Sequence, residues 1–260
     1  MQAFLLTLVL SCVPVLLFLL IAVTMELAAP RKRYSLWSRF PGGLWLIVQP
    51  GLFMLAALPV TSLWKQFGVV PLIDLAPLGF WGATAAMLLI FDGLRYLVHQ
   101  LEHKLFWPIH AVHHSIRELH AANSFAHPIE GLIEAFFIVI PLSMIHTPQP
   151  VIIVVGAITG FQNVVIHCPM RFHLWRLGGI FVGSRFHRVH HSLEIEHHDR
   201  NFGLLFSFWD RLFGTACEAK PEEWPDTGVE GLPPPRTFVG MLMHPLQHFQ
   251  RPRAFKRTPG

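Results

Sequence analysis

The sequence predicts an all-α protein, an integral membrane helical bundle of about four to five transmembrane or re-entrant helices. The chain has 260 residues, of which 52% are hydrophobic and 14% charged, whereas about a quarter of the residues of a soluble domain are charged. Several apolar runs are long enough to cross a bilayer as a helix. Strings rich in histidine adjoin these runs, which indicates a functional centre at one membrane face.

Residues 1–77 are predicted to form an N-terminal unit of transmembrane helices and connecting loops. The apolar run 3–23 lacks the basic leader and the small-residue cleavage site of a signal peptide, so we expect a retained first span. The run 44–63 contains Pro50 and Pro59, which membrane helices tolerate as kinks. We therefore expect a second span there.

Residues 78–216 are predicted to form the central domain, which carries all the histidine strings. The apolar run 78–98 leads directly into the first string. Two shorter runs, 129–145 and 151–166, are near the lower length limit of a span, so we expect a hairpin that crosses the bilayer or dips into it. Residues 217–260 are proline-rich and end in basic residues, which indicates an irregular extension at the membrane surface.

Basic residues predict the topology. The loop after the first span carries the basic cluster 31–33 and Arg39, whereas the next loop offers Lys65 against Asp74. Loops rich in Lys and Arg stay in the cytoplasm. The histidine strings and the C-terminus are therefore predicted on the cytoplasmic side, and Pro148 on the opposite side. The membrane is expected to be a bacterial inner membrane or an ER-type membrane. The net charge is +4, and the basic residues that give rise to it flank apolar runs. This position favours lipid headgroups and not nucleic acid as the partner.

The histidines recur in three strings with helical spacing. The first and last residues of H-x-x-x-H share a helix face, and the pattern H-x-V-H-H-S occurs twice. Imidazole nitrogen binds zinc, copper, iron and nickel, and a buried imidazole without a partner costs about 1–3 kcal/mol. One mononuclear site would not use so many ligands. The strings and one isolated histidine therefore predict two metal ions bound by His99, His103, His110, His113, His114, His167, His187, His190 and His191.

Three further residues are candidates for roles beside the metals. Asp92 lies inside an apolar run, two helical turns before the first string, so we expect it to accept the second N–H of a ligand imidazole. An ion pair with Arg95 is the alternative. His127 is either a tenth ligand or a residue behind the ligands, and Glu130 is expected to lie behind the ligands as well.

Motifs for other cofactors are absent from the sequence. There is no G-x-G-x-x-G, no phosphate-binding G-x-x-x-x-G-K-S/T loop and no G-x-S-x-G element. The three cysteines form no C-x-x-C pair, which argues against iron–sulfur ligation. We therefore expect no bound flavin, NAD or haem, and any redox reaction would draw electrons from a partner.

The histidine strings, Asn201-Phe202-Gly203 and the run from Trp209 to Thr215 resemble the sterol desaturase and fatty acid hydroxylase superfamily over about residues 80–216. The resemblance implies a membrane di-iron oxygenase that uses O2 and external electrons to hydroxylate or desaturate a C–H bond of a lipid, such as a sterol-like or fatty acyl substrate. It implies a transmembrane bundle with a cytoplasmic helical cap, the nine histidines as iron ligands, and matching elements at Asp92 and at His127-Pro128-x-Glu130.

The chain departs from this pattern in two ways. Some relatives carry a histidine four residues before the position of His167, where this chain has Asn163, so that position is expected to act through water or to be replaced by His127. The chain also lacks a cytochrome b5-like domain, so the electron donor is expected to be a separate ferredoxin, cytochrome or reductase.

Two other classes of protein could use the same histidines. A zinc-dependent membrane hydrolase would favour H-E-x-x-H, but the acid between His99 and His103 stands at another position. A non-catalytic metal carrier would place polar ligands along the spans. The oxygenase is therefore preferred, while the lipid, the choice between hydroxylation and desaturation, and the oligomeric state stay open.

Overall fold

The computed structural model describes residues 2–28, 34, 39–68, 70–170, 179–220 and 222–249. The basic cluster 31–33 and the basic residues from 251 onward, on which the predicted topology and the predicted surface extension partly rest, lie outside the described residues. The described chain is mostly helical, as predicted.

Two long helices, α1 (Gln2–Ala28) and α2 (Arg39–Gln66), form the N-terminal part. The end of α1 is tied to the start of α2 by a buried ion pair between Glu26 and Arg39. Glu26 also accepts a hydrogen bond from the backbone N–H of Ala121 at 3.2 Å. A buried ion pair persists where further hydrogen bonds satisfy its charges, so this contact fixes α2 against the loop that follows the second histidine string.

The central helices converge on the histidines. They are α3 (Gly79–Lys104), α4 (Trp107–His114), α5 (Glu130–Glu134), a π-helical turn (Ala135–Val139), α6 (Ile140–Ser143) and α7 (Gln149–Val165). Apolar residues of α3 and α7 at matching four-residue spacing, Ala83 and Met87 with Val151 and Val155, pack in one cluster. The two helices therefore lie side by side, and both lead toward histidines at their C-terminal ends.

Two short strands, β1 (Ile73–Asp74) and β2 (Ile145–His146), pair in parallel, a detail that the all-α prediction omits. A segment of two residues is too short to produce a periodic hydrophobic pattern. The pairing places the loop before α3 beside the loop before α7. Both helices therefore begin at the same end of the bundle, opposite the histidines.

The C-terminal region contains α8 (Ser184–His190), α9 (Phe208–Leu212) and α10 (Phe238–Phe249). The expectation of an irregular segment after residue 217 was wrong for α10, which packs against α4. Met241 is buried with Trp45 of α2 and Val112 of α4, and this apolar contact stabilises the helix although Pro245 lies within it.

Among the described residues, one helical segment, Ala76–Lys104, is long and apolar enough to cross a membrane, and Leu16–Ala28 and Gln149–Val165 are shorter apolar helices. Many large apolar side chains are nevertheless exposed, including Leu20, Leu55 and Phe136. The number of spans stays a prediction.

Candidate metal centre

The fold brings all nine predicted histidines into two adjacent groups. Helix α3 supplies His99 and His103, and α4 supplies the string from His110 to His114. Helix α8 supplies His187 and His190, while His191 and His167 follow the ends of α8 and α7. Within each group one ring nitrogen of every member lies within 4.8 Å of the others. The first group is His99, His103, His110, His114 and His190, and the second is His113, His167, His187 and His191.

Backbone carbonyls hold four of the imidazoles through Nδ1. His99 donates to the carbonyl of Phe202 at 2.8 Å and His190 to that of Arg200 at 2.7 Å. In the second group, the carbonyls of Phe125 and Asn163 accept from His113 at 3.0 Å and from His167 at 2.6 Å. Because a carbonyl only accepts, Nδ1 of each ring carries the proton and Nε2 presents a lone pair.

These lone pairs point at one another. Nε2 of His113 and Nε2 of His167 are both acceptors, because each ring donates Nδ1–H to a backbone carbonyl, and the two atoms face each other at 3.5 Å. In the first group, Nε2 of His99 lies 3.1 Å from Nε2 of His110. Nε2 of His190 is buried without a hydrogen-bond partner. Two lone pairs at this distance repel, and a cation that both nitrogens bind removes the conflict. The donor set therefore fits one metal ion in each group.

The protonation state also suits metal binding. Burial lowers the pKa of His167 to about 4 and the pKa of His190 to about 3. The pKa values of His113, His187 and His191 lie well below the ordinary value for the same reason. These imidazoles are therefore neutral at pH 7, and a metal ligand must be neutral imidazole.

Carboxylates surround His110. Besides its hydrogen bond with Glu130 at 3.3 Å, the Nδ1 atom of His110 lies 3.9 Å from an oxygen of Glu102. Arg95 donates to Glu102 at 3.1 Å and pairs with Glu134 at 3.5 Å. The predicted position of Glu130 behind the ligands agrees with its contact to His110. Sequence reasoning did not select Glu102, although it directly precedes His103.

Asp92 makes a different contact from the one expected. Its carboxylate accepts the backbone N–H groups of Leu205 at 2.8 Å and Phe206 at 2.9 Å, in place of the expected ligand imidazole or Arg95. A second buried carboxylate, Asp210, accepts the N–H groups of the residue pair 202–203 at 2.7 and 2.8 Å. The two carboxylates fix the loop 200–206, whose carbonyls hold His99 and His190.

The geometry of this loop explains the Asn-Phe-Gly string. Asn201 has a left-handed backbone with φ 58°, which Asn tolerates better than most residues. A Cβ atom on Gly203 would lie 2.7 Å from the carbonyl oxygen of Phe206 and 2.9 Å from Asp210. The loop therefore has no room for a side chain at position 203.

His127 and Asn163 lie beside the histidine groups. Nδ1 of His127 accepts the N–H of Ile129 at 3.2 Å, and its Nε2–H faces the carbonyl of Leu242 at 3.4 Å. Both nitrogens are thus engaged outside the two groups, which argues against the alternative of a tenth ligand. Asn163 holds His167 through its backbone carbonyl, and it is one of the residues that line a cavity next to the histidines.

This cavity, of about 380 Å³, reaches the histidines of both groups. Its walls come from α2, α3, α4, α5 with the π-helical turn, α7, α8 and the loop segments 124–126 and 202–204. A substrate in this cavity would contact His99, His113 and His167 directly.

The sequence model of the fatty acid hydroxylase family matches residues 84–215. The match covers half of the chain and includes both histidine groups and the loop that positions them. The chain belongs to the fatty acid hydroxylase family, as the resemblance implied.

Curated relatives are hydroxylases and monooxygenases by name, which agrees with the predicted oxidoreductase class. The chain is 31% identical over 167 residues to ornithine lipid hydroxylase OlsE of Rhizobium tropici, covering 63% of this chain and 50% of the relative. It is 26% identical over 148 residues to alkylglycerol monooxygenase of Caenorhabditis elegans, and the match covers 53% of this chain and 28% of the relative. It is 33% identical over 135 residues to methylsterol monooxygenase 1 of Rattus norvegicus, and the match covers 48% of this chain and 43% of the relative.

The chain thus spans half or less of the length of these relatives. No solved structure matches the chain.

Proposed function

We propose that this protein is a membrane-bound di-iron oxygenase that hydroxylates a C–H bond of a lipid. The observation that carries the proposal is the pair of histidine groups, with neutral buried rings and converging lone pairs, beside a cavity in a chain of this family. The reaction is R–H + O2 + 2 e⁻ + 2 H⁺ → R–OH + H2O. Desaturation would use the same oxidant and electrons and release two waters instead.

In this proposal a separate ferredoxin, cytochrome or reductase supplies the two electrons. When bound, the two irons supply the activation of O2. The residues of the chain have the remaining tasks. The loop 200–206 orients His99 and His190, Glu130 holds the Nδ1 proton of His110, and the apolar wall of the cavity excludes water and positions the lipid.

We further propose a multi-pass arrangement with the histidines on the cytoplasmic side. It is supported by the β1–β2 pairing, which puts the loop before α3 and the loop before α7 at the same end of the bundle. Exposed apolar residues on α10, such as Val239 and Met243, would face the membrane surface.

Cysteine labelling in intact cells tests this topology. Gln149 and Glu196 are both exposed and lie at opposite ends of the arrangement. In a cysteine-free background, a cysteine at 149 should react with an impermeant maleimide in intact cells, and a cysteine at 196 should react only after lysis. The reverse pattern would refute the topology.

The activity is tested with purified protein in lipid nanodiscs, iron, a reduced ferredoxin system and ¹⁸O2. The names of the three relatives above suggest ornithine lipid, alkylglycerol and methylsterol as probes. A cholesterol 25-hydroxylase-like protein of Danio rerio, 29% identical over 139 residues, suggests cholesterol as the fourth. We expect ¹⁸O in one of these lipids, lost in His190→Ala and retained in His146→Ala, whose histidine is exposed and lies outside both groups. Equal product from His190→Ala would contradict the proposal.

A further inference from the structure

The cavity is built in layers along three helices. From α3, residues Phe91, Arg95 and His99 line it at four-residue spacing, and from α5 and the π-helical turn, residues Glu130, Glu134 and Ile138 do the same. Successive positions on such a stripe are about 6 Å apart along the helix axis. Each stripe therefore has one end at the histidines, a polar residue one turn away and an apolar residue two turns away.

Helix α7 repeats this order. Asn163 lies one turn before His167, and Gly160 and Gly156 follow at increasing distance from the histidines. A Cβ atom on Gly156 would meet no atom within 4 Å, so the backbone leaves open space at this position. Thr159 also lines the cavity, but its hydroxyl donates to the backbone carbonyl of Val155 at 2.9 Å. The apolar end of the cavity is thus the end far from the histidines.

Five polar side chains near the histidines form what we call the polar layer: Gln49, Arg95, Ser124, Glu134 and Asn163. Arg95 and Glu134 pair with each other at 3.5 Å. Gln49 reaches the same place from α2, because it shares a small side cavity with Glu130 and Glu134. The amides and the ion pair offer both donors and acceptors to a ligand.

One polar group of this layer, the hydroxyl of Ser124, lacks a hydrogen-bond partner. The residue is 4% exposed, it lines the cavity, and its hydroxyl is buried. Ser124 also lies next to Phe125, whose carbonyl holds His113. A buried hydroxyl without a partner costs free energy that a bound polar group recovers. The unsatisfied hydroxyl therefore points to a hydrogen-bonding ligand close to the metal centre.

We propose that the substrate is a lipid whose reacting C–H bond lies close to its polar group, and that the polar layer binds that group. The inference rests on the proposed function. A lipid whose tail occupies the end near Phe91, Ile138 and Gly156 places its polar group one helical turn from the histidines. One turn is about 6 Å, which an extended chain covers in about five bonds. The reacting carbon lies within that distance of a heteroatom.

The position of the new oxygen tests the inference. The lipid that gains ¹⁸O from the four probes is fragmented by tandem mass spectrometry to locate the hydroxyl. We expect it within about five bonds of a heteroatom of the unreacted lipid, the span of one helical turn. Oxygen at a remote position, such as carbon 25 of cholesterol, would overturn this inference and leave the proposed function intact. Absence of ¹⁸O from every probe would overturn both.

Paired serine variants test the polar layer itself. Ser124→Ala removes the unpaired hydroxyl, whereas Ser143→Ala removes a hydroxyl that bonds within its own helix outside the cavity. We expect kcat/KM to fall about tenfold in Ser124→Ala, mainly through KM, and to stay within about twofold in Ser143→Ala. Asn163→Leu, which keeps volume and removes the amide, should act in the same direction as Ser124→Ala. Unchanged kcat/KM in both Ser124→Ala and Asn163→Leu would overturn the inference.

Discussion

Asp210→Asn tests whether the loop 200–206 positions the metal ligands. The carboxylate accepts three hydrogen bonds, from the N–H groups of Phe202 and Gly203 at 2.7 and 2.8 Å and from the hydroxyl of Thr215 at 2.7 Å. An amide keeps one accepting oxygen and turns its NH2 group toward one donor, so about one buried hydrogen bond is lost. The expected loss of stability is about 1–3 kcal/mol.

The same change should weaken metal binding. Phe202 also provides the carbonyl that accepts from His99 at 2.8 Å, and changes behind metal ligands typically cost about 10–100-fold in metal affinity. We expect Asp210→Asn to lose its metal at chelator concentrations about 10–100-fold lower than wild type, with a lower melting temperature in tryptophan fluorescence. Asp226→Asn, an exposed aspartate, is the matched control. Wild-type chelator resistance in Asp210→Asn would refute the positioning role.

Two further predictions concern stability away from the metals. Burial, with the charge of Arg39 nearby, lowers the pKa of His120 to about 3. As the pH falls below about 6.5, His120 therefore gains a proton only in the unfolded chain. The free energy of unfolding of wild type should fall by about 2 kcal/mol more between pH 7 and 5 than that of His120→Phe. Parallel pH profiles of the two proteins would contradict this. A Cβ on Gly42 would lie 1.8 Å from the carbonyl oxygen of Ala122, whereas that on Gly43 meets its nearest atom at 3.9 Å. Gly42→Ala should cost about 3 kcal/mol or more and Gly43→Ala should not destabilise, and equal melting temperatures would count against the close approach.

The histidine geometry followed from local sequence rules. Residues four apart share a helix face, so their spacing alone pairs His99 with His103, and the repeated string indicates that two helices contribute similar ligand sets. The division of nine histidines into five and four agrees with the expectation of two sites. That both sites bind iron stays a prediction.

The contacts that orient the ligands could not be predicted in this way. Asp92 binds backbone groups 113 and 114 residues later in the chain, and no local pattern encodes such a partner. Asp210 likewise binds the backbone N–H of Phe202, whose backbone carbonyl holds His99, and contacts of this kind do not depend on the type of side chain. Helix α10 was missed because the proline-rich composition of residues 217–260 predicted irregular structure, whereas the helix is stabilised by apolar contacts with α4 and α2 that no local pattern encodes.

Metal content of the purified protein tests the central claim most directly. Neighbouring residues His190 and His191 belong to different groups, so His190→Ala and His191→Ala each damage one site. Elemental analysis after iron loading should give about two irons per wild-type chain and per His146→Ala chain, and fewer in each of the two variants. Wild-type iron content in both variants, or a wild type that binds zinc alone and rejects iron, would contradict the di-iron assignment.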